Sequence, residues 1–286
     1  MSTENQPSPA ERIAAVSTPG TIARWVFWPA AVVIVGFSAF AITFPTTAES
    51  FFGAIQTSIV DSFNWYYVLI AAFFVGFAIF VGFSRFGDIK LGRDDDEPEF
   101  STGSWFSLLF AAGMGIGLVF YGVSEPLSHF VDPRPGVTGT EQQLAQGALT
   151  QTYLHWGVHA WAMYVVVGLA LAYAIHRRRR PISIRWALEP LLGNRVRGAA
   201  GNVIDAVALV GTLFGVATSL GLGVMQMGSG LEFIGLPPMN DAMLIGLIAI
   251  VSVFVLFSVL SGVTKGMKWL SNFNLIVAGL LLLFLL

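Results

Sequence analysis

The aromatic residues of one apolar segment have types and spacing suited to binding an alkylated ammonium ion. On a regular helix Trp156, Trp161 and Tyr164 lie within an arc of about 140°, and Gly157 and Gly168 on the same arc leave space between the rings. The face of an aromatic ring attracts a cation without any hydrogen-bond acceptor. The alternative is an aromatic belt at a membrane surface. Trp161 and Tyr164 lie roughly 10–15 Å inside the segment, which favours the binding interpretation.

A glycine-rich stretch at residues 111–126, AAGMGIGLVFYGVSEP, predicts an unusual helix. Gly113, Gly115 and Gly117 each weaken a helix by about 1 kcal/mol relative to alanine. One interpretation is close helix packing through Gly113 and Gly117. The other is a locally unwound helix whose backbone carbonyl and amide groups line a cavity in the membrane, as happens in discontinuous helices.

Hydroxyl side chains accompany glycines in a second stretch, GTLFGVATSLGLGVMQMGSG, at residues 211–230. The oxygens of Thr212, Thr218 and Ser219 are hard ligands suited to an alkali cation. Hydrogen bonds between helices are the more common use of such hydroxyls in a membrane. The spacing alone leaves both interpretations open.

The titratable residues do not form a pattern that would serve an enzyme. Neither paired carboxylates nor a nucleophile with an adjacent base occurs within the apolar segments. His155 and His159 share a helix face, but two histidines without a third ligand indicate hydrogen-bonded structural residues rather than a metal site. Glu125 lies near a helix end, where a structural role is favoured over a proton relay. We therefore expect no enzymatic activity and no nucleic-acid partner.

The composition of the whole chain is that of a membrane protein. Of its 286 residues, 55% are hydrophobic and only 11% are charged, whereas a soluble domain carries about a quarter charged residues. Several windows reach about 18 apolar residues, enough to cross a hydrocarbon core as a helix. We therefore predict an all-α membrane protein. The predicted spans are residues 25–44, 65–83, 105–121, 154–175, 203–225 and 243–260, with a seventh that begins near Asn272 and ends at Leu286.

Positively charged residues alternate between the predicted loops. All but one of the 15 Lys and Arg residues lie before the first span or in every second loop after it, and only Arg134 lies on the opposite side. Loops rich in Lys and Arg stay in the cytoplasm. A multi-pass protein of the plasma (inner) membrane with a cytoplasmic N-terminus is therefore expected, with a polar tail at residues 1–22. The arginine run at 177–180 is a topology anchor that could also contact anionic lipids of the bilayer.

The last predicted span is unusual because its apolar run, LIVAGLLLLFLL, continues to the final residue. A helix that begins at Asn272 covers little more than about 20 Å, which is less than the roughly 30 Å of a hydrocarbon core. We therefore expect the intact protein to continue beyond this helix.

Four segments together carry a resemblance to a known family. GMGIGLVFYGVSEPL, HWGVHAWAMY, TLFGVATSLGLG and KGMKWLSNFN are similar, in the same order, to motifs of the betaine–choline–carnitine transporter (BCCT) family. The resemblance implies a LeuT-type inverted-repeat fold, with two leading transmembrane helices at residues 23–85. It places the first five-helix repeat at residues 100–286, with the second repeat absent. It also implies a homotrimer for the full-length protein.

The resemblance further implies which residues contact the substrate. The matching positions are Trp156, Trp161, Tyr164, Met114, Gly113, Gly115 and Gly117. The three aromatic residues correspond to the aromatic box of the family. The other four correspond to a flexible segment that also contacts the substrate.

Sodium ligands are implied by the same resemblance. The backbone carbonyls of Ala111 and Met114 match half of one sodium site, and Thr212 matches one ligand of a second site. Sodium-coupled members have a second threonine one helical turn later, where this chain has Val216. Because valine has no oxygen ligand, the resemblance leaves the number of coupled sodium ions undetermined.

The function implied is secondary active import of a quaternary ammonium compatible solute, such as glycine betaine or choline, by sodium-coupled alternating access. Proton-coupled choline uptake and sodium-independent exchange of betaine for carnitine are alternatives on the same scaffold. A non-transporting membrane subunit or a channel is the alternative of a different class, although the spans lack the polar stripe of a pore. No cofactor is expected, and sodium is the expected coupling ion.

Overall fold

The computed structural model describes residues 22–113 and 115–286, and all regular secondary structure in this part of the chain is helical. Residues 1–21 of the predicted tail and Met114 of the predicted substrate segment lie outside the described residues. The α-helices are α1 (Arg24–Thr43), α2 (Pro45–Phe83), α3 (Thr102–Gly113), α4 (Ile116–Val119), α5 (Tyr121–Val131), α6 (Glu141–Leu154), α7 (Ala160–Ala172), α8 (Glu189–Leu192), α9 (Ala199–Phe233), α10 (Asp241–Ser261) and α11 (Lys268–Leu285).

Shorter helical turns adjoin several of these helices. Three are π-helical: His155–His159 between α6 and α7, Tyr173–Arg177 after α7, and Val263–Met267 before α11. Two are 3₁₀-helical and flank α8: Ile184–Leu188 and Gly193–Arg197.

Six helical stretches within the described residues are long and apolar enough to cross a membrane, which confirms the predicted all-α membrane class. Large apolar side chains such as those of Phe83, Phe254 and Leu283 are exposed on them. In a lipid environment such exposure is favourable, because the hydrocarbon tails replace water. The stretches are Arg24–Thr43, Pro45–Phe83, Glu141–Arg177, Ala199–Phe233, Asp241–Ser261 and Val263–Leu285.

The third predicted span, residues 105–121, is not a single helix. It is divided into α3, the four-residue α4 and the start of α5, with Gly115 in a bend and Phe120 between the last two helices. None of these pieces reaches the length of a spanning helix, so residues 22–113 and 115–286 contain six long stretches where seven were predicted. The correction has a physical reason, since glycines at alternate positions remove the helix stabilisation that a continuous span requires.

Three further predicted spans are longer than expected. The helix predicted at 65–83 begins at Pro45, and its 39 residues include the polar stretch around Asp61. The stretch predicted to begin at 154 begins at Glu141, and the helix predicted at 203–225 covers 35 residues from Ala199. Hydropathy marks only the apolar part of a helix, whereas backbone hydrogen bonding continues into its polar ends.

The seventh predicted span begins earlier than Asn272. Gly262, with φ of 82°, ends α10, and the next helical stretch starts at Val263. Its 23 residues cover about 34 Å, enough for the hydrocarbon core. The prediction that this helix is too short to cross a membrane is therefore wrong.

The described residues divide into two compact units, and the first comprises residues 22–96 and 156–213. In it, α2 packs against α1 and α7. The rings of Phe37 and Phe52 have centroids 4.9 Å apart, which joins α1 to α2. After α7, Arg177 Nη1 lies 2.6 Å from Asp94 Oδ1. The loops of this unit are therefore held by ion pairs and its helices by apolar packing.

The second unit comprises the described residues of 97–155, which omit Met114, and residues 214–286. There, α3 packs against α11 and α5 packs against α6. The Asn272 amide donates to Ser104 Oγ at 3.4 Å. Helix α6 begins with a capping box, in which the Thr140 side chain accepts from Gln143 N–H and the Gln143 side chain accepts from Thr140 N–H.

Candidate functional site

Two of the predicted substrate-binding rings form a pair on α7. Trp161 and Tyr164 have ring centroids 5.7 Å apart and ring planes inclined by 39°. Their separation of three residues places them on one helix face, and they are 47% and 63% exposed. A pair of accessible aromatic faces at this spacing can bind a methylated ammonium group through cation–π attraction.

Trp156 lies in the π-helical turn that precedes α7 rather than in a regular helix. Gly157 within that turn has φ of −83° and ψ of −138°, which is not helical. The predicted arc assumed a uniform 100° per residue across this turn, so it does not describe how Trp156 is oriented relative to Trp161. Adding a Cβ at Gly157 or Gly168 would meet no atom within 4 Å, so both glycines border open space.

The glycine stretch is interrupted, as the second of its two interpretations predicted. Helix α3 ends at Gly113 and α4 begins at Ile116, with Gly115 in the bend between them. A Cβ on Gly115 would meet nothing within 4 Å, so helix contact does not require glycine at this position. The Gly115 carbonyl accepts from Val119 N–H at 3.1 Å. Gly117 lies within α4, and Ala111 lies in the last turn of α3.

The predicted sodium ligand Thr212 lies on α9 in the first unit. Its Oγ1 donates to Ala208 O at 2.8 Å, a local bond common for threonine in membrane helices. The oxygen lone pairs remain able to bind a cation. Val216, one turn later, is exposed and offers only methyl groups. Thr212 thus has a hydroxyl oxygen where Val216, one turn later, has none, and the predicted sodium ligand Ala111 lies in the second unit.

A carboxylate–histidine cluster occurs in the second unit and was not anticipated as a cluster. Glu125 Oε1 lies 2.7 Å from His155 Nδ1 and 3.4 Å from His129 Nε2. The Glu125 side chain is 10% exposed. These groups border an open cavity of about 370 Å³. Its lining residues are Tyr121, Ser124, Glu125, Ser128, His129, Gln151 and His155.

The cluster supports the interpretation of His155 as a hydrogen-bonded structural residue rather than a metal ligand. His155 and Glu125 are 30 residues apart and lie on different helical segments, so helical periodicity could not have paired them. Among the described residues, no group of three or more His, Asp or Glu side chains has an arrangement that could hold a metal ion. Glu125 therefore holds α5 to the end of α6.

Gln226 on α9 is a polar residue that the sequence patterns did not single out. Its Nε2 donates to the backbone carbonyl of Val119, the last residue of α4, at 3.1 Å. An unpaired carboxamide in an apolar helix is a recognisable signal, because such groups need a partner within the membrane. Its partner here is a backbone atom 107 residues away, which no side-chain pattern identifies.

Known proteins are similar to this protein over almost its whole chain. A family profile described as BCCT, betaine/carnitine/choline family transporter, matches residues 25–286. An uncharacterized transporter of Mycobacterium tuberculosis (strain ATCC 25618 / H37Rv) is 50% identical over 264 residues, covering 91% of this chain and 44% of the relative. The glycine betaine transporter OpuD of Bacillus subtilis (strain 168) is 45% identical over 262 residues, covering 91% and 51%.

A third relative differs in its named substrate. The osmo-independent choline transporter of Acinetobacter baylyi is 38% identical over 262 residues, covering 91% of this chain and 49% of the relative. The chain thus spans about half the length of the curated relatives that it matches.

Proposed function

The chain belongs to the betaine/carnitine/choline transporter family, and from this membership we propose that the complete protein imports a quaternary ammonium compatible solute by secondary active transport. Glycine betaine and choline are the proposed substrates, since relatives are named for each. The family is one of transporters, and the apolar segments of the sequence likewise lack the residue pattern of an enzyme. The membrane class agrees as well, because six helical stretches among the described residues are long and apolar enough to span a bilayer.

The observation that carries this proposal is the ring pair Trp161–Tyr164, with centroids 5.7 Å apart. A trimethylammonium group has no hydrogen atom to donate, so hydrogen-bond acceptors cannot select it. Aromatic faces can, through charge–quadrupole attraction and contact with the methyl groups. Trp156 is proposed as a third ring of this box, and Gly113, Met114, Gly115 and Gly117 as the flexible segment that contacts the substrate.

Sodium is the proposed coupling ion, and alternating access is the proposed mechanism. The proposed ligands are the carbonyls of Ala111 and Met114 and the hydroxyl of Thr212, all of them hard oxygen donors. Val216 offers no oxygen, and this observation favours fewer sodium ions than a complete pair of sites would bind. Because Val216 lacks an oxygen ligand, sodium-independent exchange is the second candidate mechanism.

The architecture proposed for the complete protein is the LeuT-type inverted repeat. Residues 1–22 would be a cytoplasmic tail, 23–85 two leading helices, and 100–286 the first repeat. The glycine interruption between α3 and α4 supports this proposal, because discontinuous helices are typical of such repeats. A homotrimer in the plasma (inner) membrane, with the N-terminus cytoplasmic, is proposed from the same resemblance and the alternating positive charge.

We propose that only two of the four arginines at residues 177–180 contact anionic lipids. Arg177 pairs with Asp94, and Arg180 donates two hydrogen bonds of 2.6 Å to Glu189. Arg178 and Arg179 have no ion-pair partner among the described residues, which leaves their charges available to lipid head groups.

Uptake into proteoliposomes tests the proposed function. The protein expressed from its complete gene is reconstituted, and entry of radiolabelled glycine betaine and choline is followed with an inward sodium gradient or with potassium at equal ionic strength. We expect saturable uptake that depends on sodium, and no uptake of glycine, which lacks the methyl groups. Equal uptake in both salts would contradict sodium coupling, and a proton gradient or internal carnitine that restores uptake would identify the alternative mechanisms. A complete lack of uptake of any quaternary amine would contradict transport itself.

A further inference from the structure

The glycine stretch has a second interruption, where a side chain of α9 bonds to its backbone. Helix α4 ends at Val119 and α5 begins at Tyr121. Gln226 Nε2 donates to Val119 O at 3.1 Å. Both residues belong to the second unit, so this bond lies within one compact body.

The Val119 carbonyl lacks its usual backbone donor. In a regular α-helix Val119 O would accept from the N–H of Val123, four residues later. Here Val123 N–H donates to Phe120 O at 3.4 Å, and Ser124 N–H donates to the same oxygen at 3.2 Å. A carbonyl without a donor is strongly unfavourable inside a membrane. The Gln226 amide therefore supplies the hydrogen bond that the helix does not.

Gln226 is placed on a firmly packed part of α9. Val224, two residues earlier, is 2% exposed. At Gly228, two residues later, an added Cβ would lie 3.2 Å from Leu244 Cδ2, which shows that α9 and α10 approach closely. The Gln226 side chain forms no other hydrogen bond within the described part of the chain. A donor on a packed helix is thus directed at an irregular one.

We propose that Gln226 is a positioning residue that keeps the helix open at Phe120 and thereby holds the glycine segment in its interrupted form. The amide gives Val119 O a donor in the interrupted form, so that form does not leave a carbonyl without a partner in the membrane. Without the amide, the nearest backbone donor for Val119 O is Val123 N–H, and the balance shifts toward a continuous helix from α4 into α5.

The kinetic consequence rests on the proposed transport function. If the interrupted form binds the substrate, closing the helix reduces the population that is competent to bind, and the apparent affinity falls by the same factor. The loss of one hydrogen bond corresponds to a change of about fivefold. The maximal rate should change less than KM, because the occupied transporter is again in the interrupted form.

Gln226→Met tests the proposal, since methionine has a similar length and no donor. We expect KM for glycine betaine to rise about fivefold, with a smaller change in maximal rate. We also expect slower hydrogen exchange in the peptide that covers residues 116–126, because Val123 N–H acquires a regular partner. Ser229→Ala is the matched control, because Ser229 lies on the same helix and its side chain has no hydrogen bond to any residue that the structure describes. It should change neither KM nor the hydrogen exchange of residues 116–126.

Val123→Pro provides the rescue. Proline removes the N–H that would close the ladder, and proline is tolerated in the first turn of a helix, where Val123 lies in α5. The double variant Gln226→Met/Val123→Pro should return KM to within about twofold of the wild type if the closing bond is the cause. If the Gln226 side chain only fills space, removing the N–H of residue 123 would not restore KM.

Hydrogen exchange separates failure of this inference from failure of the proposed function. A wild-type protein without uptake would contradict transport and leave the exchange measurement to decide the role of Gln226. Unchanged or faster exchange in the 116–126 peptide of Gln226→Met, in a variant that elutes as a folded protein, would overturn the inference. So would a double variant in which KM stays as high as in the single one.

Discussion

Glu125 Oε1 lies 2.7 Å from His155 Nδ1, and this bond joins two helical segments that are 30 residues apart. Glu125 belongs to α5, and His155 begins the π-helical turn after α6. The Glu125 carboxylate is 10% exposed, so water solvates its charge only in part. The bond therefore fixes how α5 packs on α6, at the end of the interrupted glycine stretch.

Replacing Glu125 by glutamine should destabilise the protein. Glutamine keeps the shape of the side chain but removes the charge that both His155 and His129 face. Bonds to charged groups contribute about 1.5–3 kcal/mol, and we expect a loss at the lower end because His155 is 61% exposed. Thermal unfolding in detergent measures the change, with Ser128→Ala as a control on the same helix.

A double-mutant cycle with His155→Gln assigns the effect to the pair. If the bond is responsible, the double variant should be less destabilised than the sum of the single variants. Additive losses would mean that the two residues contribute independently.

Trp161→Ala should weaken the binding of glycine betaine. The proposed cation–π contact predicts a loss of about 0.5–2 kcal/mol in binding free energy, whereas Trp161→Phe should retain much of it because the ring face remains. Isothermal titration or the KM of uptake measures the change. Trp28→Ala is the control, since Trp28 is a similarly exposed tryptophan on α1. If Trp161→Ala leaves the affinity unchanged, Trp161 does not contact the substrate and contributes only to packing.

Val216→Thr should increase the sensitivity of uptake to sodium. The substitution places a hydroxyl one helical turn after Thr212, where this chain has only methyl groups. A new oxygen ligand is expected to lower the sodium concentration for half-maximal uptake. Val207→Thr adds the same hydroxyl elsewhere on α9, at an exposed position, and should have no such effect. If both variants behave alike, a sodium ligand role at this position is excluded.

Asp205→Ala should be among the most destabilising changes in the first unit. Arg185 Nε donates to Asp205 Oδ2 at 2.6 Å, and Arg185 N–H donates to Oδ1 at 3.1 Å. The two side chains are 13% and 15% exposed, and breaking a buried pair costs about 3–5 kcal/mol. The melting temperature should decrease strongly for Asp205→Ala and almost not at all for Arg178→Gln, which removes an arginine that has no ion-pair partner in the part of the chain that the structure describes. Equal changes in the two variants would contradict this ranking.

Much of the fold was predictable from local sequence. The spans at 25–44 and 243–260 agree with α1 and α10 to within two residues, because a run of apolar residues is itself the requirement for crossing a membrane. The pairing of Trp161 with Tyr164 was also predictable, since residues three apart on a helix are neighbours. One of the two interpretations of the glycine stretch, a locally unwound helix, agrees with the interruption after α3, although glycines do not interrupt α9.

Other features depended on contacts that no local pattern contains. The extension of α2 back to Pro45 and the start of the last helix at Val263 lie where hydropathy is weak, so backbone hydrogen bonding decided them. The π-helical turn at His155–His159 changed the phase that a regular helix would have given Trp156.

By itself, the sequence determined the membrane class and most of the spanning helices, because both follow from composition and from the length of apolar runs. Only the tertiary structure decided that Glu125 pairs with His155 and that Gln226 bonds to the backbone of Val119. The physical reason is that buried polar groups must find partners wherever the packed helices bring them, and those partners can be distant in sequence.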